Sequence, residues 1–152
     1  MKQTEHNLTI LVPELQIHLE GPGPFTWVRT QDSEQSFQDN VLHGVSRFFT
    51  PLGALLAEHW FWRGLREGVG KQYYASGALY RVERFRGGSK HGLQEAYYEQ
   101  GQLKTKEIYE EGYLHGEMLL YWPSGQLKRR AQFVNGARVK DEIWDEHGHQ
   151  DR

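Results

Sequence analysis

Three histidines, His43, His91 and His115, each stand directly before a glycine and share one 24-residue spacing, with Glu67 filling the place left between His43 and His91. Imidazole and carboxylate groups are common ligands of zinc, so the column invites a metal reading. The ligand atoms of one ion must lie within a few ångströms of each other, whereas equivalent positions in successive hairpins of a sheet are about 10 Å apart. The column is therefore expected to serve turns or cross-strand contacts, with no metal and no cofactor. His147 and His149 lie in an acidic tail and follow no pattern. The carboxylates Glu107, Glu110 and Glu111 are close in sequence, but a general acid and base need a formed pocket to work in, and Glu110 and Glu111 fall in a turn. No nucleophile stands in a recognisable elbow, and the glycine-rich stretches do not follow the strand-to-helix order that phosphate cradles require. Catalytic residues are not expected, and the chain is not read as an enzyme.

The elements that carry these residues repeat. Gly44, Gly68, Gly92 and Gly116 are spaced by 24 residues, as are Gly53, Gly77, Gly101 and Gly125, and again Gly64, Gly88, Gly112 and Gly136. These columns hold twelve of the 17 glycines. Leu55, Leu79, Leu103 and Leu127 keep the same register, as do Phe49, Tyr73, Tyr97 and Tyr121, and also Phe61, Phe85, Tyr109 and Phe133. Glycine breaks helices while aromatics favour strands, so each unit reads as a β-hairpin whose glycines occupy left-handed turn positions. Asn135-Gly136 is the strongest single turn signal. Strict alternation along the second strand sets Leu103, Thr105, Glu107 and Tyr109 on one face. The leucine and aromatic columns are then expected as ladders on that face.

The expected architecture is all-β: an elongated single-layer antiparallel sheet of tandem 24-residue hairpins. Residues 1–23 form an N-terminal capping segment, in which Thr9 to Leu19 reads as a strand or hairpin. The array covers 24–148, with units near 24–41, 42–65, 66–89, 90–113 and 114–137 and a partial unit at 138–148. Asn40, 24 residues before Gly64, marks the first unit as degenerate, since asparagine tolerates the left-handed region best after glycine. Residues 149–152 are expected to fray.

Units such as Tyr73-Tyr74-Ala75-Ser76-Gly77-Ala78-Leu79, followed by Phe85-Arg86-Gly87-Gly88 and His91-Gly92, resemble the MORN repeat variant, with its pattern YYxxGxLxxxxxFxxGxxxG. The resemblance runs from about Leu42 to Arg138 and implies a hairpin sheet. It further implies a binding role, since bacterial proteins with this variant are often labelled antitoxin components of toxin-antitoxin systems, and related arrays act as immunity proteins or scaffolds. Membrane attachment, linked to eukaryotic relatives, goes with a YxGxW element that this chain lacks.

A net charge of −2 provides no global field for nucleic acid, and a nucleic-acid partner is not expected. Charge is unevenly spread: Lys71 to Lys140 carries 12 Lys and Arg against 7 Asp and Glu, while both flanks are acidic. By alternation Arg84, Lys104, Lys106, Lys128 and Arg130 form a basic stripe. It reads either as a solvated face that discourages edge pairing or as a surface steering an acidic protein partner. Tyr74, Tyr98 and Trp122 form a second aromatic column, and Trp60 and Trp62 flank Phe61. Exposed, these would be interface anchors; covered by another segment or subunit, they would be packing. The functional expectation is a non-catalytic protein-binding module that sterically neutralises a cognate toxin. A scaffold meeting anionic lipid is the alternative, and edge strands could pair into a homodimer. Cysteine is absent, and Met1 to His18 lacks the basic start and apolar run of a signal peptide, so a cytoplasmic location is expected.

Overall fold

A computed structural model describes residues 25–152 together with residues 2–5, 9–12 and 17–20, the last three segments and Phe25 as backbone only. The strands are β1 (Lys2–Glu5), β2 (Thr9–Val12), β3 (Ile17–Glu20), β4 (Phe25–Arg29), β5 (Ser33–Gln38), β6 (Val41–Phe49), β7 (Leu55–Trp62), β8 (Leu65–Arg66), β9 (Gly68–Tyr73), β10 (Leu79–Arg86), β11 (Ser89–Lys90), β12 (Gly92–Tyr97), β13 (Leu103–Glu110), β14 (Tyr113–Leu114), β15 (Gly116–Tyr121), β16 (Leu127–Val134), β17 (Ala137–Trp144) and β18 (Gln150–Asp151). Among the described residues, sixteen of them form one open antiparallel sheet in which β4 onward follow chain order, and β1 pairs β4 at one end. Strands β2 and β3 make a separate hairpin within the expected capping segment. The single-layer array of hairpins is the architecture that the 24-residue period predicts.

Two turn types alternate along the array. Arg63-Gly64, Gly87-Gly88, Glu111-Gly112 and Asn135-Gly136 all have positive φ at both positions, between 48° and 87°, which is the type I′ geometry that matches strand twist. Asp39 and Asn40 have φ of 50° and 64°, so the first unit keeps the turn without its glycine. At the other hairpin end, Gly77 N donates to Tyr74 O at 2.9 Å and Tyr74 N to Ala78 O at 2.8 Å, and the same pair of bonds recurs at Gly53, Gly101 and Gly125. These are five-residue turns closed by a left-handed glycine.

Just inside each such turn the register slips by one residue. Tyr73 pairs with Leu79 but Gln72 with Arg81, so Tyr80 is an extra residue; Lys104 and Lys128 hold the same place in β13 and β16. A one-residue bulge reverses the alternation. The expectation that the leucine and aromatic columns share a face is therefore corrected: the Tyr–Leu pairs 73/79, 97/103 and 121/127 lie on one face, while Phe61, Phe85, Tyr109 and Phe133 lie on the other. Each of these four aromatics is the cross-strand partner of a columnar glycine, Gly44, Gly68, Gly92 and Gly116 in turn. A ring laid across a glycine covers backbone that would otherwise face water.

Buried residues come from both faces, as a single layer requires. Val45, Val69 and Val82 are buried on the tyrosine–leucine face, and Phe85, Ala96, Met118 and Ala131 on the phenylalanine face. Polar groups are buried beside them. The Ser36 hydroxyl donates to His43 O at 2.6 Å and accepts from Val45 N at 2.8 Å. Gln94 accepts from Arg84 N and donates to Arg84 O, both at 2.9 Å. Each fills a gap in the backbone ladder beside a glycine with positive φ.

The tail expected to fray is tied down instead. Ile143 pairs with Asp151 and Trp144 with Gln150, and the Asp145 carboxylate accepts from the backbone N–H of His147 and His149, both at 2.9 Å. Those bonds, the His149 N–H first, hold the Asp145 carboxyl below its ordinary range.

Candidate partner-binding surface

The histidine and glutamate column caps the next unit's turn. His43 Nδ1 accepts from Arg63 N at 2.9 Å, and a Glu67 carboxylate oxygen accepts from Gly87 N at 2.8 Å. Longer contacts of 3.4 Å join Glu111 N to His91 and Asn135 N to His115. The place asks only for an acceptor, which explains why a carboxylate replaces imidazole there. His43 is 1 % exposed, and its ring lies 4.4 Å from that of Trp62. Burial, and then the nearby Arg63 guanidinium, push its pKa below the ordinary histidine value.

The second aromatic column ties units together at the opposite hairpin end. Tyr74 Oη donates to Tyr97 O and Tyr98 Oη to Tyr121 O, both at 2.9 Å, and Trp122 Nε1 to Trp144 O at 3.3 Å. Their rings remain half-buried and support the bulge residues. Tyr80 meets Tyr74 edge-on with centroids 5.0 Å apart, Lys104 Nζ lies 5.4 Å from the Tyr98 centroid, and Lys128 Nζ lies 4.2 Å from that of Trp122. Five expected anchors and steering charges, Tyr74, Tyr98, Trp122, Lys104 and Lys128, are thus gathered into one row. The signal that could have found the pairing is the constant six-residue offset between each anchor and its bulge residue.

The remaining expected residues stand elsewhere. Trp60 pairs with Val45 and Trp62 with Leu65, beside Arg47 and Arg63. Arg84 Nη1 donates to Leu93 O at 2.6 Å and meets Glu95 at 3.3 Å. The basic stripe does not hold as a stripe. Cross-strand pairing sets Lys106 between Glu95 and Leu119, and Arg130 between Leu119 and Glu142. That row runs on through Val82 and Lys71 to Glu58, Arg47, Glu34 and Arg29, with Arg47 bridging Glu34 at 2.6 Å and Glu58 at 2.7 Å. Opposite charges alternate across it because like charges directly opposite each other destabilise a sheet. Reading each second strand alone showed the cations and missed the carboxylates that register brings beside them.

On the phenylalanine face a hollow of about 320 Å³ opens between β10, β12 and β13, with Arg81, Gln94, Ala96, Thr105, Glu107 and Tyr109 among its lining. Lys90 closes one side, 3.2 Å from the buried Glu83 and 5.2 Å from the Tyr109 centroid. Burial, and then Glu107, raise the Tyr109 pKa above its ordinary value, so the phenol stays a hydrogen-bond donor. Nearby His59 is buried, and among the described residues its Nδ1 has no hydrogen-bond partner; it packs so closely over Gly70 that a Cβ there would come within 2.4 Å of that atom.

The model of the MORN repeat variant matches residues 90–111 and 114–135. These two units are thus similar to the MORN repeat variant. No curated protein matches the chain. The matched units comprise β12, β13, β15 and β16 with half of β11 and β14, and so contain the Tyr98–Lys104 and Trp122–Lys128 pairs and the β12 and β13 sides of the hollow.

Proposed function

We propose that this chain is a non-catalytic protein-binding module that neutralises a cognate toxin by covering its working surface, as an antitoxin or immunity protein in the cytoplasm. The observation that carries the reading is the row of ring-supported cations, Lys104 on Tyr98 and Lys128 on Trp122, repeated at one 24-residue step. Rigid aromatics anchored by hydrogen bonds lose little entropy on docking, and clustered aromatic side chains dominate binding energy at protein interfaces. Cations held on such rings steer an acidic partner towards them. Two MORN repeats in tandem support a repeat module as the framework.

The test is co-expression with the product of the adjacent gene, scoring relief of growth arrest, together with capture from the native host. One stoichiometric protein partner and relief of arrest are expected. Sedimentation with anionic vesicles that is lost at high salt, with no partner captured, would instead mark the lipid scaffold and overturn the proposal.

A further inference from the structure

Arg81 and Arg129 occupy the same column of the repeat, 48 residues apart, yet their guanidinium groups meet opposite circumstances. Arg129 is held bidentately by Asp141 on the neighbouring strand, Nε to Oδ1 at 2.8 Å and Nη2 to Oδ2 at 2.7 Å. Asp141 stands two residues before Ile143, the cross-strand partner of Arg129. The partner of Arg81 is Ala96, so the equivalent place two residues earlier belongs to Gln94. That amide is already committed to the Arg84 backbone on both sides. Among the described residues no carboxylate pairs with Arg81, and the hollow opens in front of it.

Its fork is nevertheless held in place. The guanidinium lies 5.1 Å from the Tyr80 centroid, and Nη2 reaches the Tyr80 hydroxyl at 3.4 Å. Tyr80 is braced in turn by Tyr74, whose own hydroxyl is fixed to Tyr97 O. A planar guanidinium stacked on a ring keeps its outer N–H groups aimed at a planar acceptor. Thr105 contributes a hydroxyl to the same hollow and Lys104 a cation at its rim.

We propose that this hollow is a carboxylate-binding site, taking an aspartate or glutamate side chain of the protein partner in the place that Asp141 fills for Arg129. The proposal rests on the protein-binding reading above and locates one contact within it. Two carboxylates also line the hollow, Glu95 and Glu107; Glu95 is met by Arg84 at 3.3 Å, and Glu107 is an internal competitor, so the site selects a side chain that a wider interface carries in, over a dilute free acid.

The full chain, labelled with nitrogen-15, is titrated with an acetylated hexapeptide amide bearing two central glutamates, with the same peptide bearing glutamines, and with succinate. The Arg81 side-chain Nε–H resonance is expected to shift saturably with the glutamate peptide only, while that of Arg129 stays still. R81Q should weaken binding at least tenfold at an unchanged melting temperature, R81K should fall between, and E107Q should bind several-fold tighter. Equal movement of both arginine signals, or no saturable shift at Arg81, overturns the site. Succinate acting at the same concentrations as the peptide overturns the partner side chain as its source. Wild-type toxin capture by R81Q would sink the site while leaving the antitoxin reading intact; peptide binding without any captured partner would do the reverse.

Discussion

The two hairpin ends of the array join successive units by bonds of opposite polarity. At the type I′ end, His43 and Glu67 reach forward as acceptors to a backbone N–H of the next turn. At the other end, Tyr74, Tyr98 and Trp122 reach forward as donors to a backbone carbonyl. Each end therefore tolerates any side chain of the right polarity and reach, which is why imidazole exchanges with carboxylate in one column and phenol with indole in the other. The ends also differ in crowding. A Cβ on Gly88 would come within 3.2 Å of Leu65, whereas one on Gly77 would meet nothing within 4 Å.

Crowding offers the sharpest break. Both Gly88→Ala and Gly77→Ala force alanine to a φ near 90°, a strain of about 1–2 kcal/mol, but Gly88→Ala must also displace the exposed Leu65 side chain by a few tenths of an ångström, a smaller added cost. Urea unfolding should rank Gly88→Ala below Gly77→Ala; equal losses would mean that the two ends are packed alike.

Acid should act through the acceptor end. His43 is neutral in the fold because burial and Arg63 disfavour its charged form, so its pKa lies lower when folded than when unfolded. As pH falls below the ordinary histidine value of about 6.5, the unfolded chain takes up the proton first and stability declines until the folded pKa is passed. The melting temperature of the wild type should drop more between pH 7 and pH 5 than that of His43→Gln. Parallel profiles would remove His43 from the acid response.

Removing the donor alone is a smaller change. Tyr98→Phe leaves the ring under Lys104 and takes away only the bond to Tyr121 O, a loss of about 1 kcal/mol, read as a lowered denaturant midpoint at unchanged slope. The mildest test exchanges polarity at the half-buried acceptor Glu67: Glu67→His should match the wild type, while Glu67→Lys should lose about 0.5–1 kcal/mol. If both behave alike, acceptance by that side chain has no role in the turn.

Much of this was legible before any coordinates. The glycine columns mark both turn rows, Asn40 marks a turn without glycine, and the histidine column was expected to serve turns, as His43 and Glu67 do. Tyr74, Tyr98 and Trp122 were recognisable as a set, but their forward hydrogen bonds were not, since those depend on how far the next unit lies from each ring. The bulges at Tyr80, Lys104 and Lys128 were missed because one extra residue alters pairing without altering composition. That single oversight turned the alternating ion-pair row into an expected basic stripe.

Periodicity in the chain was enough to determine the hairpin, its length and its turn positions, because a left-handed backbone position and a strand-length aromatic run are local demands that residue type alone meets. Tertiary structure decided which side chains meet across strands. Cross-strand register set carboxylates beside Lys106 and Arg130, placed rings over glycines, and left Arg81 without the aspartate that its counterpart Arg129 enjoys. Register is a property of pairs of strands, and no single strand's sequence contains it.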